Sequence, residues 1–252
     1  MRQKINQWLS NRLEVSRIRL SQHDAPLIQL ALLGLVTGLL AGGAIVLFRL
    51  MVEGSQESFL PGHGAENYEA LPTYYRFALP IVGALLIAAM YRWFSGGLHV
   101  LGVARVMERM AYHQGHLTLR GFFLQFFGAA AAIISGHSVG REGPHIYLGA
   151  AAGSLLGQRL QLPNNSIRTM VGCGAAAGIA ASFNTPLAGV IFSLEVVMMD
   201  YTVASFIPVI LAAVAATVLS NAVLGSDPAF LVPTIEMGSL TEIPLILLLG
   251  IV

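Results

Sequence analysis

Apolar residues come in long blocks along this chain rather than at the spacing of surface helices or strands. Residues 25–51 are almost entirely apolar and long enough to cross a bilayer with tilt. Residues 53–75 follow, with Glu53, Glu57, Glu66 and Glu69 and neither Lys nor Arg, and residues 77–94 are apolar again. The two apolar blocks predict spanning helices. Beyond Leu119 the blocks shorten and are interrupted by Gly, Pro and Asn: 122–135, 146–162, 167–183, 187–199, 204–224 and 243–252. Several are too short to cross a hydrocarbon core of about 30 Å upright. Helices that end inside a bilayer persist only where their loose backbone is buried in protein or lines a polar cavity. The pattern therefore predicts an all-α transporter or channel whose chemistry lies at the breaks.

Charge orients the chain. Residues 1–24 carry Arg2, Lys4, Arg12, Arg17 and Arg19 against Glu14 and Asp24, with Ile5, Leu9, Leu13 and Val15 at roughly helical spacing. This predicts a basic amphipathic helix over 1–24 lying on a membrane face, followed by a membrane body over 25–252. No small-residue cleavage site follows its first apolar positions, so it does not read as a signal peptide. Arg92, Arg105, Arg109 and Arg120 make the next basic stretch. By the positive-inside rule the N-terminus and this stretch are cytoplasmic, and the acidic loop is outside. Of the 252 residues, 55% are hydrophobic and only 11% charged, against about 25% charged in soluble domains. A net charge of +1 gives no basic face for nucleic acid, and a single cysteine, Cys173, excludes an internal disulfide framework.

The first break, residues 138–145, reads Ser138-Val139-Gly140-Arg141-Glu142-Gly143-Pro144-His145 and places charges inside an apolar body. Intramembrane charge is costly enough to point to function. Gly143 and Pro144 predict a helix start, since proline's missing N–H would be unpaired there anyway. Gly149, Gly153 and Gly157 then form a small-residue stripe suited to close packing. The N–H groups and positive dipole end of such a helix attract anions. Glu142 competes for that place: its carboxylate either occupies the anion position or, once protonated or displaced, swings away. It is a candidate gate, and the alternative is a structural Glu142–Arg141 arrangement. A second break, Ser182-Phe183-Asn184-Thr185-Pro186, has the same form, with Asn184 or Thr185 as cap and Pro186 in the first turn. Glu195 falls near the end of that short helix and reads as a structural carboxylate pairing at the inner face.

At these residues the chain resembles the CLC family of chloride channels and chloride/proton exchangers. Residues 140–144 match the family's GREGP motif, and residues 174–189 match its GAAAGxAAxFNxPLAG stretch. The resemblance runs from about Ala25 to Val252. It implies a bundle of tilted, often broken helices forming the first half of an inverted repeat, a homodimer, and Glu142 as the gating glutamate. Gly140, Arg141, Gly143 and Pro144 would shape the helix start, with Gly102 and Val103 lining the inner anion path. It implies chloride as the transported ion, the lipid bilayer as surroundings, and no cofactor. The bacterial inner membrane is the expected location.

Three departures stand out. The family's GSGIP motif would fall at residues 100–104, with Leu101 in place of its anion-holding serine. Exchangers commonly carry a second Glu, for internal proton delivery, at the position of Val196; its absence favours passive conduction over the alternative of proton-coupled exchange. The chain also ends near where the family's second repeat begins, so a non-conducting half-pore is a further reading.

Other chemistries are weaker. Gly136-His137-Ser138-Val139-Gly140 is formally G-x-S-x-G, but a nucleophile elbow needs a strand-to-helix turn rather than a membrane break. His99, His113, His116, His137 and His145 lack carboxylate or thiolate partners at metal-ligand spacing and read as solvated or interfacial. No phosphate-binding G-x-x-x-x-G-K-[ST] is present, which argues against an ATP-driven pump.

Overall fold

The computed structural model describes residues 27–60, 67–96, 101–225 and 242–251. The helix expected at 1–24, together with Glu66, His99 and Val100, lies outside them. The elements, in order, are α1 (Leu27–Phe59), a short 3-10 turn (Tyr68–Ala70), α2 (Thr73–Phe94), α3 (Val103–Tyr112), α4 (Leu119–Ile134) and α5 (Glu142–Arg159). They continue with α6 (Asn164–Phe183), α7 (Pro186–Phe192) running into a π turn (Ser193–Met198), α8 (Val203–Leu224) and α9 (Glu242–Ile251).

The first helix overruns its predicted end. It continues through Glu53 and Glu57 to Phe59, because Arg49 pairs with Glu53 at 3.1 Å one turn on and carries the helix past the apolar block. At 33 residues it is about 50 Å long, which a bilayer core accommodates by tilt. Among the described residues three helices are long and apolar enough to span by length and composition, falling on α1, α2 and α8.

Small residues decide how these helices meet. On α1, Gly34, Gly38 and Gly42 face Pro208, Ala212 and Ala216 of α8; a methyl on Gly34 would stand 2.5 Å from the Pro208 carbonyl oxygen. The predicted stripe on α5 is the second seam: Gly149 lies on the Gly174 carbonyl of α6, Gly153 on that of Met170, and Gly157 against Ile167. Lipid is as apolar as leucine, so helices in a bilayer gain from close backbone approach rather than from burial as such. This explains the composition of α6. It packs against α1, α5, α7 and α8, and Ala175, Ala176, Ala177 and Ala180 are fully buried. Shielded from lipid, it needs small side chains more than large apolar ones. In contrast α2, which packs on α4, leaves Leu85, Leu86 and Trp93 exposed.

Candidate functional site

Two helix breaks organise the interior. The first lies between α4 and α5. Helix α4 ends at Ile134 and the chain turns at Gly136, whose φ of +77° is the left-handed conformation glycine tolerates best. The turn is clamped from outside: Tyr68 donates its hydroxyl to the carbonyls of Ile133 and Ile134, both at 2.9 Å, and accepts from Gln56 Nε2 at 2.9 Å. Ser135 Oγ and His137 Nδ1 share a hydrogen bond of 2.9 Å. Residues 137–140 then run without helical structure to the start of α5.

Helix α5 begins one residue earlier than Gly143. Arg141 is the N-cap position and Glu142 the first helical residue, with Gly143 and Pro144 completing the first turn. Proline is harmless there because the first N–H groups of a helix have no partner within it. Glu142 is exposed, and its Oε2 folds back over Gly140, occupying the space a methyl group would take. Arg141 is half-buried. Gly140, Arg141, Glu142, Gly143 and Pro144 are thus one constellation: a carboxylate turned back across the N-terminal turn of an 18-residue helix. The backbone N–H groups of that turn and its dipole favour negative charge beside it.

Gly102 and Val103 begin a different helix. Gly102, at φ +80°, caps α3, and a methyl there would touch nothing within 4 Å. Leu101, at the expected serine position, is half-buried and packs against the core. Helix α3 lies against α5 and the π turn.

The second break follows α6. Asn184 ends it in the left-handed conformation at φ 55°, Thr185 caps α7, and Pro186 takes the first helical position. Because α7 passes into a π turn, Glu195 is carried outward: it is exposed and makes no ion pair among the described residues, contrary to the pairing expected for it. Val196, one residue on, lines a cavity of about 430 Å³ together with Met107, Met198, Glu108 and Arg168. Glu108 is held by Arg105 at 2.7 Å, and that hydrogen bond keeps its carboxyl below the ordinary range.

The histidines separate. His113 and His116 are exposed, as expected, but His145 is buried, 1% exposed, against Phe48 at a centroid distance of 5.2 Å. Its Nδ1 meets Ser182 Oγ. Sequence reasoning missed this pair; the one signal available was a histidine directly after proline at a helix start. Ser138 is exposed on the unstructured run and has no hydrogen-bonded base among the described residues.

The family described as "Voltage gated chloride channel" matches residues 82–252. The chain belongs to that family. Among curated relatives of this chloride channel family, a putative chloride channel protein, ClcB-like, from Ralstonia nicotianae is 32% identical over 186 residues, covering 72% of this chain and 43% of that protein. The H(+)/Cl(-) exchange transporter ClcA of Vibrio cholerae is 37% identical over 130 residues, covering 50% of this chain and 28% of the transporter. The crystal structure of a CLC-type fluoride/proton antiporter superposes with a TM-score of 0.70 at 25% identity, covering 92% of this chain and 55% of the antiporter. The chain thus spans about half or less of the length of the relatives it matches. The all-α bundle of tilted and broken helices is the CLC-type fold, and members of this family are integral membrane proteins that move ions rather than enzymes.

Proposed function

We propose that this chain carries part of a transmembrane pathway for small monovalent anions, chloride first among them, and that Glu142 is its gate. The observation that carries the reading is the Glu142 carboxylate folded over Gly140 at the N-terminal turn of α5. The place suits an anion, because unpaired N–H groups and a positive dipole end compensate lost hydration without a full positive charge, so exit stays fast. The tethered carboxylate competes for that place. Protonating it, or displacing it with chloride, clears the path. Arg141, Gly143 and Pro144 shape the turn, and Gly102 and Val103 offer a second helix start for the inner path. The protein is taken to work as a homodimer in a bacterial inner membrane with its N-terminus cytoplasmic, as the basic residues and the family resemblance suggest.

Passive conduction and proton-coupled exchange differ at Val196. An apolar residue where exchangers carry a carboxylate supports passive flow, while the naming of ClcA as an H(+)/Cl(-) exchange transporter supports coupling. Chloride efflux from proteoliposomes tests the gate: Glu142→Gln imitates the protonated side chain and makes efflux less dependent on pH. Unchanged pH dependence rules the gate out. An imposed chloride gradient that drives protons uphill in the same vesicles decides for exchange, and its failure to do so decides for passive flow. Folded protein that releases no chloride at all supports the half-pore.

A further inference from the structure

We propose that His145 is a positioning residue: its hydrogen bond to Ser182 holds the two helix breaks in register, and through that register holds the turn from which Glu142 extends. The second part rests on the gate reading; the first does not. His145 lies directly beyond Pro144, and its N–H closes the first turn of α5 on the Arg141 carbonyl at 3.1 Å. Its ring is edge-on to Phe48 and is flanked by Phe183 at a centroid distance of 6.5 Å. A phenyl group would satisfy that packing, so the apolar surroundings alone do not call for an imidazole.

The hydrogen bond does. Nδ1 meets the Ser182 hydroxyl, two residues before Asn184 ends α6, while Nε2 has no partner among the described residues. An unsatisfied ring nitrogen in a buried site costs free energy, and here the bond made by the other nitrogen offsets that cost. The end of α6 is in turn tied to α8. Ser220 Oγ donates to the Ala181 carbonyl at 2.8 Å, and Asn221 Nδ2 donates to Asn184 Oδ1 at 3.1 Å. These polar ties run from the start of α5 through the end of α6 to α8, all at the level of the breaks. At Gly149 and Gly153 the α5–α6 seam is close backbone packing without a directional side-chain bond, whereas the His145–Ser182 hydrogen bond is directional.

Spin labels at Val139→Cys and Leu187→Cys, both exposed positions beside the breaks, measure the register, since Cys173 is fully buried and stays unlabelled. His145→Leu and the milder Ser182→Ala each broaden the distance distribution. His145→Asn, whose amide reaches the place of Nδ1, restores it. An unchanged distribution in folded Ser182→Ala, or no restoration by Asn, overturns the proposal. Chloride efflux supplies the second arm. With Glu142 present, Ser182→Ala changes efflux by about fivefold, the equivalent of one hydrogen bond. In the Glu142→Gln background the change falls below about twofold, as expected when the coupled partner is gone. Equal changes in both backgrounds overturn positioning of the gate. If Glu142→Gln itself proves silent, the gate reading fails and the spin labels still decide the register.

Discussion

Gly140→Ala isolates the gate from the rest of the fold. Gly140 is not among the residues with positive φ, so its backbone admits alanine without strain. The added methyl would, however, overlap Glu142 Oε2 and little else. The carboxylate is then pushed off its resting position. A side chain forced about 30° off its rotamer pays about 0.5–1.5 kcal/mol, and that amount shifts the balance between blocked and open states by about two- to twelvefold. Folding stability should barely change, because alanine loses less chain entropy than glycine and gains back up to about 1 kcal/mol. The assay is chloride efflux from proteoliposomes across a range of pH, with thermal unfolding followed on the same preparations. Gly140→Ala should release chloride faster, and less pH-dependently, where the native gate is closed. Gly54→Ala, away from the break, is the control: a methyl there meets nothing within 4 Å. If folded Gly140→Ala releases chloride as the control does, the folded-back carboxylate does not control the path.

Three further outcomes concern the scaffold. Gly174→Ala drives a methyl into the Gly149 carbonyl and should destabilise the fold as overpacking does, by about 1–3 kcal/mol, with a lower thermal midpoint, while Gly54→Ala, with open space around it, should not. Ser154 Oγ donates to the Gly115 carbonyl at 2.6 Å and accepts from Leu117 N and Gln158 Nε2, each at 2.8 Å, so Ser154→Ala should cost about 1–3 kcal/mol in thermal unfolding by stranding those partners. Asp200, before α8, accepts from the Ser205 hydroxyl at 2.7 Å and from Thr202, which hold its carboxyl below the usual carboxylate range. A depressed folded value means its stabilisation is full above the unfolded pKa and fades as pH falls through the folded one. Asp200→Asn should therefore flatten the acid-side decline of the unfolding midpoint, and an unchanged slope would show that Asp200 contributes nothing.

Much of the architecture was legible in the residues because lipid imposes simple rules. Apolar blocks located α1, α2 and α8; Gly143 and Pro144 located the start of α5, and Pro186 after a polar cap that of α7, each within a residue; and the Gly149, Gly153, Gly157 stripe is a helix–helix seam. The errors have local physical causes. The first helix outlasted its apolar block because Arg49 and Glu53 pair along it. The carboxylate of Glu195, expected to be paired, was turned outward by a π turn that composition does not announce.

Which residues can bear the bilayer, where helices must break, and that one carboxylate stands at a helix start follow from side-chain polarity and backbone chemistry, which any stretch of sequence carries with it. The placement of Glu142 Oε2 over Gly140 and the burial of His145 against Phe48 and Ser182 are of another kind. The first depends on a side-chain rotation, and the second joins positions 97 and 37 residues apart in the chain. Only the packing of α1, α5 and α6 brings those groups within reach, since hydrogen bonds and ring contacts act over a few ångströms whatever the separation along the chain.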